Sequence, residues 1–215
     1  MAAAARVLVL TWPAGAAVRQ DASPPLSAVT RLALRARSGD DSAFDELMRA
    51  TEERVLTVAW RLLGTREEAR DAAQESFLRA YRHLRGFRPD REFEAWLYRI
   101  VVNVCRDHFR RRRFRPTVPM ETIGEAGSGE PSTAATSEER LLEEERRSLV
   151  LRALDALPVR ERAALVLRDL EGKTSEEAAA ILGTTAGTVR SQLASARAKL
   201  KVAIVRLASG RGAAR

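Results

Sequence analysis

Apolar and polar positions alternate along the chain with the period of helices, and the breaks in that period divide it into two groups. Phe44, Leu47, Met48, Val55, Val58, Ala59, Leu62 and Leu63 recur at spacings of three and four, which predicts an amphipathic helix ended by Gly64. Thr65 followed by Arg66, Glu67 and Glu68 has the pattern of a capping box and starts a second helix, which runs to about Leu84 before Gly86 and Pro89 break it. A third begins near Arg91 and puts Phe93, Trp96, Leu97, Ile100, Val101, Val104 and Cys105 on one face, which assigns Trp96 to the core. With a short segment at Thr30 to Ser38, these three helices form a compact bundle over residues 28–114.

Residues 115–137 lose all periodicity and collect Pro, Gly, Ser and Thr, the composition of a linker. Beyond it a second domain, residues 138–207, opens with Glu138 to Leu157, stopped by Pro158, and continues with Val159 to Leu170 and a turn at Glu171, Gly172 and Lys173. A short helix from about Ser175 to Leu182, a turn at Gly183 and Thr184, and a longer helix from about Thr185 to Leu207 complete it. In the long helix Val189, Leu193, Ala196, Leu200, Ile204 and Leu207 form one apolar stripe, leaving the opposite face free. The short helix, turn and long helix have the mechanics of a helix-turn-helix. Ala178 and Ala179 permit close crossing, Gly183 makes the turn, and Ile181, Leu182, Val189 and Leu193 share a small core. Thr184 or Thr185 caps the second helix, whose first amides favour a phosphate.

Composition strengthens the picture. Ala, Leu, Arg and Glu dominate and aromatic residues are 5%, so the fold is expected to be all-α, two small helical domains on a flexible linker. Lys and Arg number 37 against 29 Asp and Glu, a net charge of +8 that calls for an acidic partner, nucleic acid first. After Glu177 no acidic residue follows, while Arg190, Arg197, Lys199, Lys201 and Arg206 do. Together with the turn chemistry this favours DNA over a merely solvated face, with Thr188, Arg190, Ser191, Ala194, Ser195 and Arg197 as the contact positions. A single cysteine, Cys105, rules out an internal disulfide and reads as a small buried hydrophobe; His83 and His108 alone offer no zinc constellation. No cofactor or metal site is expected. Val7 to Leu10 with Trp12 resembles the core of a signal peptide but is short, so residues 1–27 read as a disordered leader, 208–215 as a disordered tail, and the location as cytoplasmic.

Two charged faces mark the first domain. Six arginines fall between Arg106 and Arg115, at the end of the third helix, and favour a polyanion over a charged helix end. The second helix instead exposes Glu67, Glu68, Asp71 and Glu75 around Gln74, a face that repels DNA and suits a protein partner.

Four stretches then occur in order: Asp71-Ala-Ala-Gln-Glu-Ser-Phe-Leu-Arg-Ala-Tyr, Phe93-Glu-Ala-Trp-Leu-Tyr-Arg-Ile-Val-Val-Asn, Leu157-Pro-Val-Arg-Glu-Arg and Gly187-Thr-Val-Arg-Ser. With them the chain resembles a bacterial sigma factor of the extracytoplasmic-function group, within the sigma-70 superfamily, over about Asp41 to Leu207. The resemblance implies a non-enzymatic subunit with sigma regions two and four, which carries core RNA polymerase to promoters and opens the minus-ten element. It implies that Asp71, Gln74 and Glu75 dock on the β′ coiled-coil. The loop from Arg85 to Glu92, with Phe87 and Arg88, would take up minus-ten bases, and Asn103, Arg106 and Arg110 would follow the backbone. Region four would read the minus-thirty-five element and rest on the β flap, and a separate anti-sigma protein would hold the factor.

Two departures stand out. Gln192, Leu193, Ala194, Ser195, Ala196 and Arg197 replace the usual Arg-Leu-x-Arg-Ala-Arg, removing two cations, and Ser175-Glu-Glu-Ala replaces Tyr-Glu-Glu-Ile-Ala. The alternative is a stand-alone helix-turn-helix regulator whose first domain dimerises or senses a ligand. A nucleic-acid enzyme is disfavoured, since no paired carboxylates, Gly-rich phosphate loop or nucleophile-base arrangement appears.

Overall fold

The computed structural model describes residues 26–114 and 137–212, and these are helical with no strand among them. The first half comprises α1 (Ala28–Arg37), α2 (Asp41–Leu63), α3 (Arg66–His83), a single 3-10 turn at Leu84–Gly86, and α4 (Phe93–Phe114). The second comprises α5 (Ser137–Asp155), α6 (Val159–Leu165), α7 (Ser175–Leu182) and α8 (Ala186–Gly212). The expected leader lies outside the described residues apart from Leu26 and Ser27, as does the linker, apart from Ser137, which starts α5.

Local chemistry sets the helix limits. Asp40 caps α2 by accepting the Ala43 amide at 3.0 Å, and Gly64 ends it in the left-handed region at φ 88°, where a side chain would be strained. Thr65 caps α3 by accepting the Glu68 amide at 3.3 Å. Glu68 does not reach back to close the box expected there; its carboxylate takes the Thr65 hydroxyl at 3.0 Å. A full capping box forms instead at α7, where Thr174 accepts from the Glu177 amide and Glu177 from the Thr174 amide. The tail differs from expectation: α8 continues five residues past Leu207 to Gly212. Extending an existing helix fixes one residue per added hydrogen bond, so even Gly210 and Gly212 are carried along.

A second difference lies after α6. The stretch expected as one helix to Leu170 widens into a π turn over Val166–Leu170, closed by the Glu171 amide donating to the Val166 carbonyl at 2.9 Å. This extra residue turns Glu171 toward the first half, where it accepts from Arg61 at 2.5 Å and from the Tyr98 hydroxyl at 3.0 Å.

The two halves share one core. Leu47, Val55, Leu62, Phe93, Leu97 and Val101 of the first pack in the same cluster as Ala163, Val166, Leu167, Ala178, Ile181 and Val189 of the second. A smaller cluster, Leu154, Leu157, Leu165, Leu193 and Ala196, belongs to the second half alone. Arg162 joins the halves with a guanidinium only 2% exposed, donating to the Leu62 carbonyl at 2.7 Å and to Asp155 at 3.0 Å. It lies 5.1 Å from the Phe109 ring centroid. Burial depresses its pKa while Asp155 works to raise it.

Candidate nucleic-acid interface

Three surfaces carry the residues singled out from the sequence. On α3, Ala69, Ala72, Ala73, Ser76 and Ala80 form the buried stripe, small residues that let α2 and α4 approach closely. Asp71 and Gln74 lie on the exposed side. Glu75 does not join them: it turns toward α4, accepting from Arg79 at 2.5 Å and Arg111 at 3.3 Å and meeting His108 Nε2 at 3.2 Å. Partial burial works to raise its pKa, but the hydrogen bonds from Arg79, His108 and Arg111 prevail and hold it below the ordinary carboxylate range. The exposed side includes two residues that the sequence reading passed over, Leu78 at 51% exposure and Tyr81 at 57%. Their signal was present, because both are large and apolar yet stand out of phase with the Ala and Ser stripe.

The second surface is the loop between α3 and α4. Arg85 and Arg88 are exposed, and Arg88 pairs with Asp90 at 3.1 Å. Phe87 was expected to meet bases, but it is 1% exposed and packs edge-on against Phe93, with centroids 5.4 Å apart. Its ring fastens the loop to the core and presents no face to a ligand. Asn103 and Arg110 are exposed on α4, while Arg106 is half-buried. Much of the arginine run is neutralised internally: Arg110 pairs with Asp107 at 3.3 Å, Arg111 with Glu75 at 3.3 Å and Arg112 with Glu68 at 3.7 Å.

The third surface is the start of α8. Thr185 caps it, accepting the Thr188 amide at 3.2 Å, and Gly183 ends α7 at φ 65°. Thr188, Arg190, Ser191 and Ala194 are exposed, with Arg190 only loosely paired to Glu176 at 3.6 Å. Ser195 and Arg197 are engaged within the domain: Ser195 donates to Glu161 at 3.2 Å and Arg197 makes a two-pronged pair with Asp169 at 2.9 and 2.7 Å. Asp169 holds the Arg197 pKa above its ordinary value. Of the contact positions expected here, those left exposed and outside a close ion pair therefore lie between Thr188 and Ala194. Thr188 and Gln192 share a cleft of about 200 Å³ with Arg106 of α4, so side chains expected to serve two separate promoter elements face each other across it.

Comparison with known proteins decides what this arrangement is. Residues 47–115 match the model of sigma-70 region 2, and residues 147–200 that of sigma-70 region 4. The chain is 37% identical over 163 residues to the ECF RNA polymerase sigma factor SigM of Mycobacterium tuberculosis, covering 76% of this chain and 78% of that one.

The chain belongs to the extracytoplasmic-function sigma factors.

Solved structures agree. CnrH, determined in complex with the cytosolic domain of CnrY, superposes with a TM-score of 0.60 at 30% identity over 82% of this chain and 96% of CnrH. RpoE from Bartonella quintana, in complex with the anti-sigma factor NepR, shares the fold with a TM-score of 0.57 at 20% identity, covering 75% of this chain and 96% of RpoE. In this sigma factor α1 to α4 thus contain region two, and α5 to α8 contain region four. It directs RNA polymerase to specific promoters, and the reading as a stand-alone regulator gives way. No described helix is long and apolar enough to cross a membrane.

Proposed function

We propose that the sigma factor divides its work among these three surfaces without catalysing a reaction itself. The exposed side of α3 docks on the β′ coiled-coil of core polymerase through Asp71 and Gln74, with Leu78 and Tyr81 supplying apolar area beside them. Glu75 acts from behind, tying α3 to α4. The loop from Arg85 to Glu92 takes up minus-ten bases, with Arg85 and Arg88 outward and Phe87 as its anchor; Asn103, Arg106 and Arg110 follow the adjacent backbone. Thr188, Arg190, Ser191 and Ala194 read the minus-thirty-five element from the N-terminal turns of α8. Ser195 and Arg197 brace that helix, and region four rests on the β flap. A separate anti-sigma protein, as RpoE has in NepR, holds the factor in the cytoplasm.

The observation that carries this reading is the α3 face, where Leu78 is half exposed and Tyr81, packed edge-on against Phe44 with centroids 4.9 Å apart, keeps more than half its surface in solvent, beside Asp71 and Gln74 on a domain otherwise rich in arginine. Its test is a binding titration with core RNA polymerase. Asp71→Arg combined with Leu78→Asp should weaken association at least about tenfold, equivalent to about 1.4 kcal/mol, with the helical signal unchanged. Unaltered core affinity would defeat the assignment. A gel shift with a promoter duplex should show specific binding only when core enzyme is present.

A further inference from the structure

The first amide of α4 has an unusual partner. A helix start is ordinarily capped by the side chain just before it, but that residue here is Glu92, whose carboxylate points elsewhere. The Phe93 amide donates instead to Thr30 Oγ1 at 3.0 Å, a hydroxyl on α1 with no exposed surface. The same hydroxyl donates to Glu92 Oε2 at 2.8 Å, and Ser27 donates to that oxygen at 2.8 Å as well. Ser27 in turn caps α1, accepting the Thr30 amide at 3.2 Å. One buried threonine thus satisfies the start of α4 and grips the last residue of the loop before it.

The other end of the loop is fixed by Phe87, set against Phe93 and Trp96 with centroids at 5.4 and 5.6 Å. Between these fixings, residues 88–91 are exposed, tied to one another through Asp90. They form a short exposed span between two buried attachments, one made by the loop itself and the other by α1.

We infer that Thr30, supported by Ser27, is a positioning residue for minus-ten selection. It fixes where the loop presents Arg88 and its neighbours relative to α4, while itself touching no base. This rests on the proposal that the loop takes up minus-ten bases. Thr30 lies ahead of the segment that matches the region 2 model, which starts at residue 47. Base discrimination needs groups held to a fraction of an ångström, whereas attraction to phosphates tolerates displacement. Releasing the α1 attachment should therefore erode choice among bases far more than total affinity for DNA.

The test uses holoenzyme assembled from core polymerase and the full chain, transcribing from a promoter library randomised at both elements. Thr30→Val keeps the shape and removes the hydroxyl; Thr30→Ser keeps the hydroxyl. Thr30→Val should reduce the preference for the best over the worst base at minus-ten positions by about fivefold or more, with minus-thirty-five preference and core affinity unchanged. Thr30→Ser should restore the minus-ten preference. Retention of that preference in Thr30→Val, or an equal loss at both elements, would overturn the inference. Arg88→Ala separates the two levels. If it alters minus-ten choice and Thr30→Val does not, the positioning role fails alone; if neither does, the loop reading itself fails. Should Thr30→Val not fold, Ser27→Ala leaves the Phe93 bond in place and should give a smaller loss confined to the minus-ten element, and an unchanged preference would again refute the role.

Discussion

Replacing Arg162 with methionine isolates what joins the two halves of the molecule. Methionine nearly fills the arginine volume, so little cavity term enters and the change is electrostatic and hydrogen-bonding. The largest loss is the 2.7 Å bond to the Leu62 carbonyl. Leu62 lies in the last turn of α2, where carbonyls have no partner within the helix, so the substitution leaves a buried acceptor unsatisfied at about 1–3 kcal/mol. Asp155 is 48% exposed, so solvent screening limits its pair with Arg162 to about 1 kcal/mol or less. Against these losses stands relief from burying a guanidinium whose Nε lacks a partner among the described residues. The expected net effect of Arg162→Met is about 2 kcal/mol of destabilisation. Equilibrium urea unfolding, followed by far-ultraviolet circular dichroism and tryptophan fluorescence, measures it, and the two probes should stay coincident. A double-mutant cycle with Asp155→Asn should return a coupling no larger than about 1 kcal/mol. A loss below about 0.5 kcal/mol for Arg162→Met, or a coupling that accounts for the whole effect, would refute the primacy of the Leu62 bond.

Gly183→Ala should cost about 1–2 kcal/mol, because the residue sits at φ 65° while open space surrounds the position of a Cβ; a melting temperature unchanged from the parent would contradict the left-handed turn. Burial pushes the Cys105 thiol up to about 12, so a thiol reagent at neutral pH should modify it only as fast as the protein opens; rapid stoichiometric labelling of the folded chain would count against the packing of α4. Asp40 falls from its ordinary 3.8 to about 2, through the Ser42 hydroxyl first, then the Ala43 amide and Arg35. A lowered folded-state pKa means stabilisation fully present above the ordinary value and lost as pH falls through the folded one. Asp40→Asn should accordingly show a smaller drop in urea midpoint than the parent between about pH 5 and pH 2.5, and identical drops would remove Asp40 from the acid response.

Several helix boundaries were legible because they rest on local chemistry: Gly64, Thr65 and Gly183 act on amides and torsions within a few residues. What escaped depends on partners distant in sequence. Val166 to Leu170 has ordinary helical periodicity, and only the packed structure reveals the π turn that sends Glu171 to Arg61 and Tyr98. Arg162 reads as one more surface cation in a charged run, since nothing nearby announces that its partner is the Leu62 carbonyl. Phe87, beside Gly86 in a polar loop, has the sequence appearance of a base platform; the aromatic rings that bury it lie on the following helix. Periodicity puts Glu75 on α3, but its direction is set by His108 and Arg111 on another helix. The α1 attachment was equally hidden, because Thr30 and Phe93 are neighbours only after folding.

The common core of the two regions bears on how such proteins can be recombined. Exchanging region four alone would replace Arg162, Val166, Leu167, Glu171 and Ile181, whose counterparts stay behind in α2 and α4. A chimera spliced within residues 115–136 would inherit foreign faces on either side of a buried seam. Successful grafts should be those whose donor supplies an arginine for the Leu62 carbonyl and an acid for Arg61 and Tyr98, whatever DNA sequence they read.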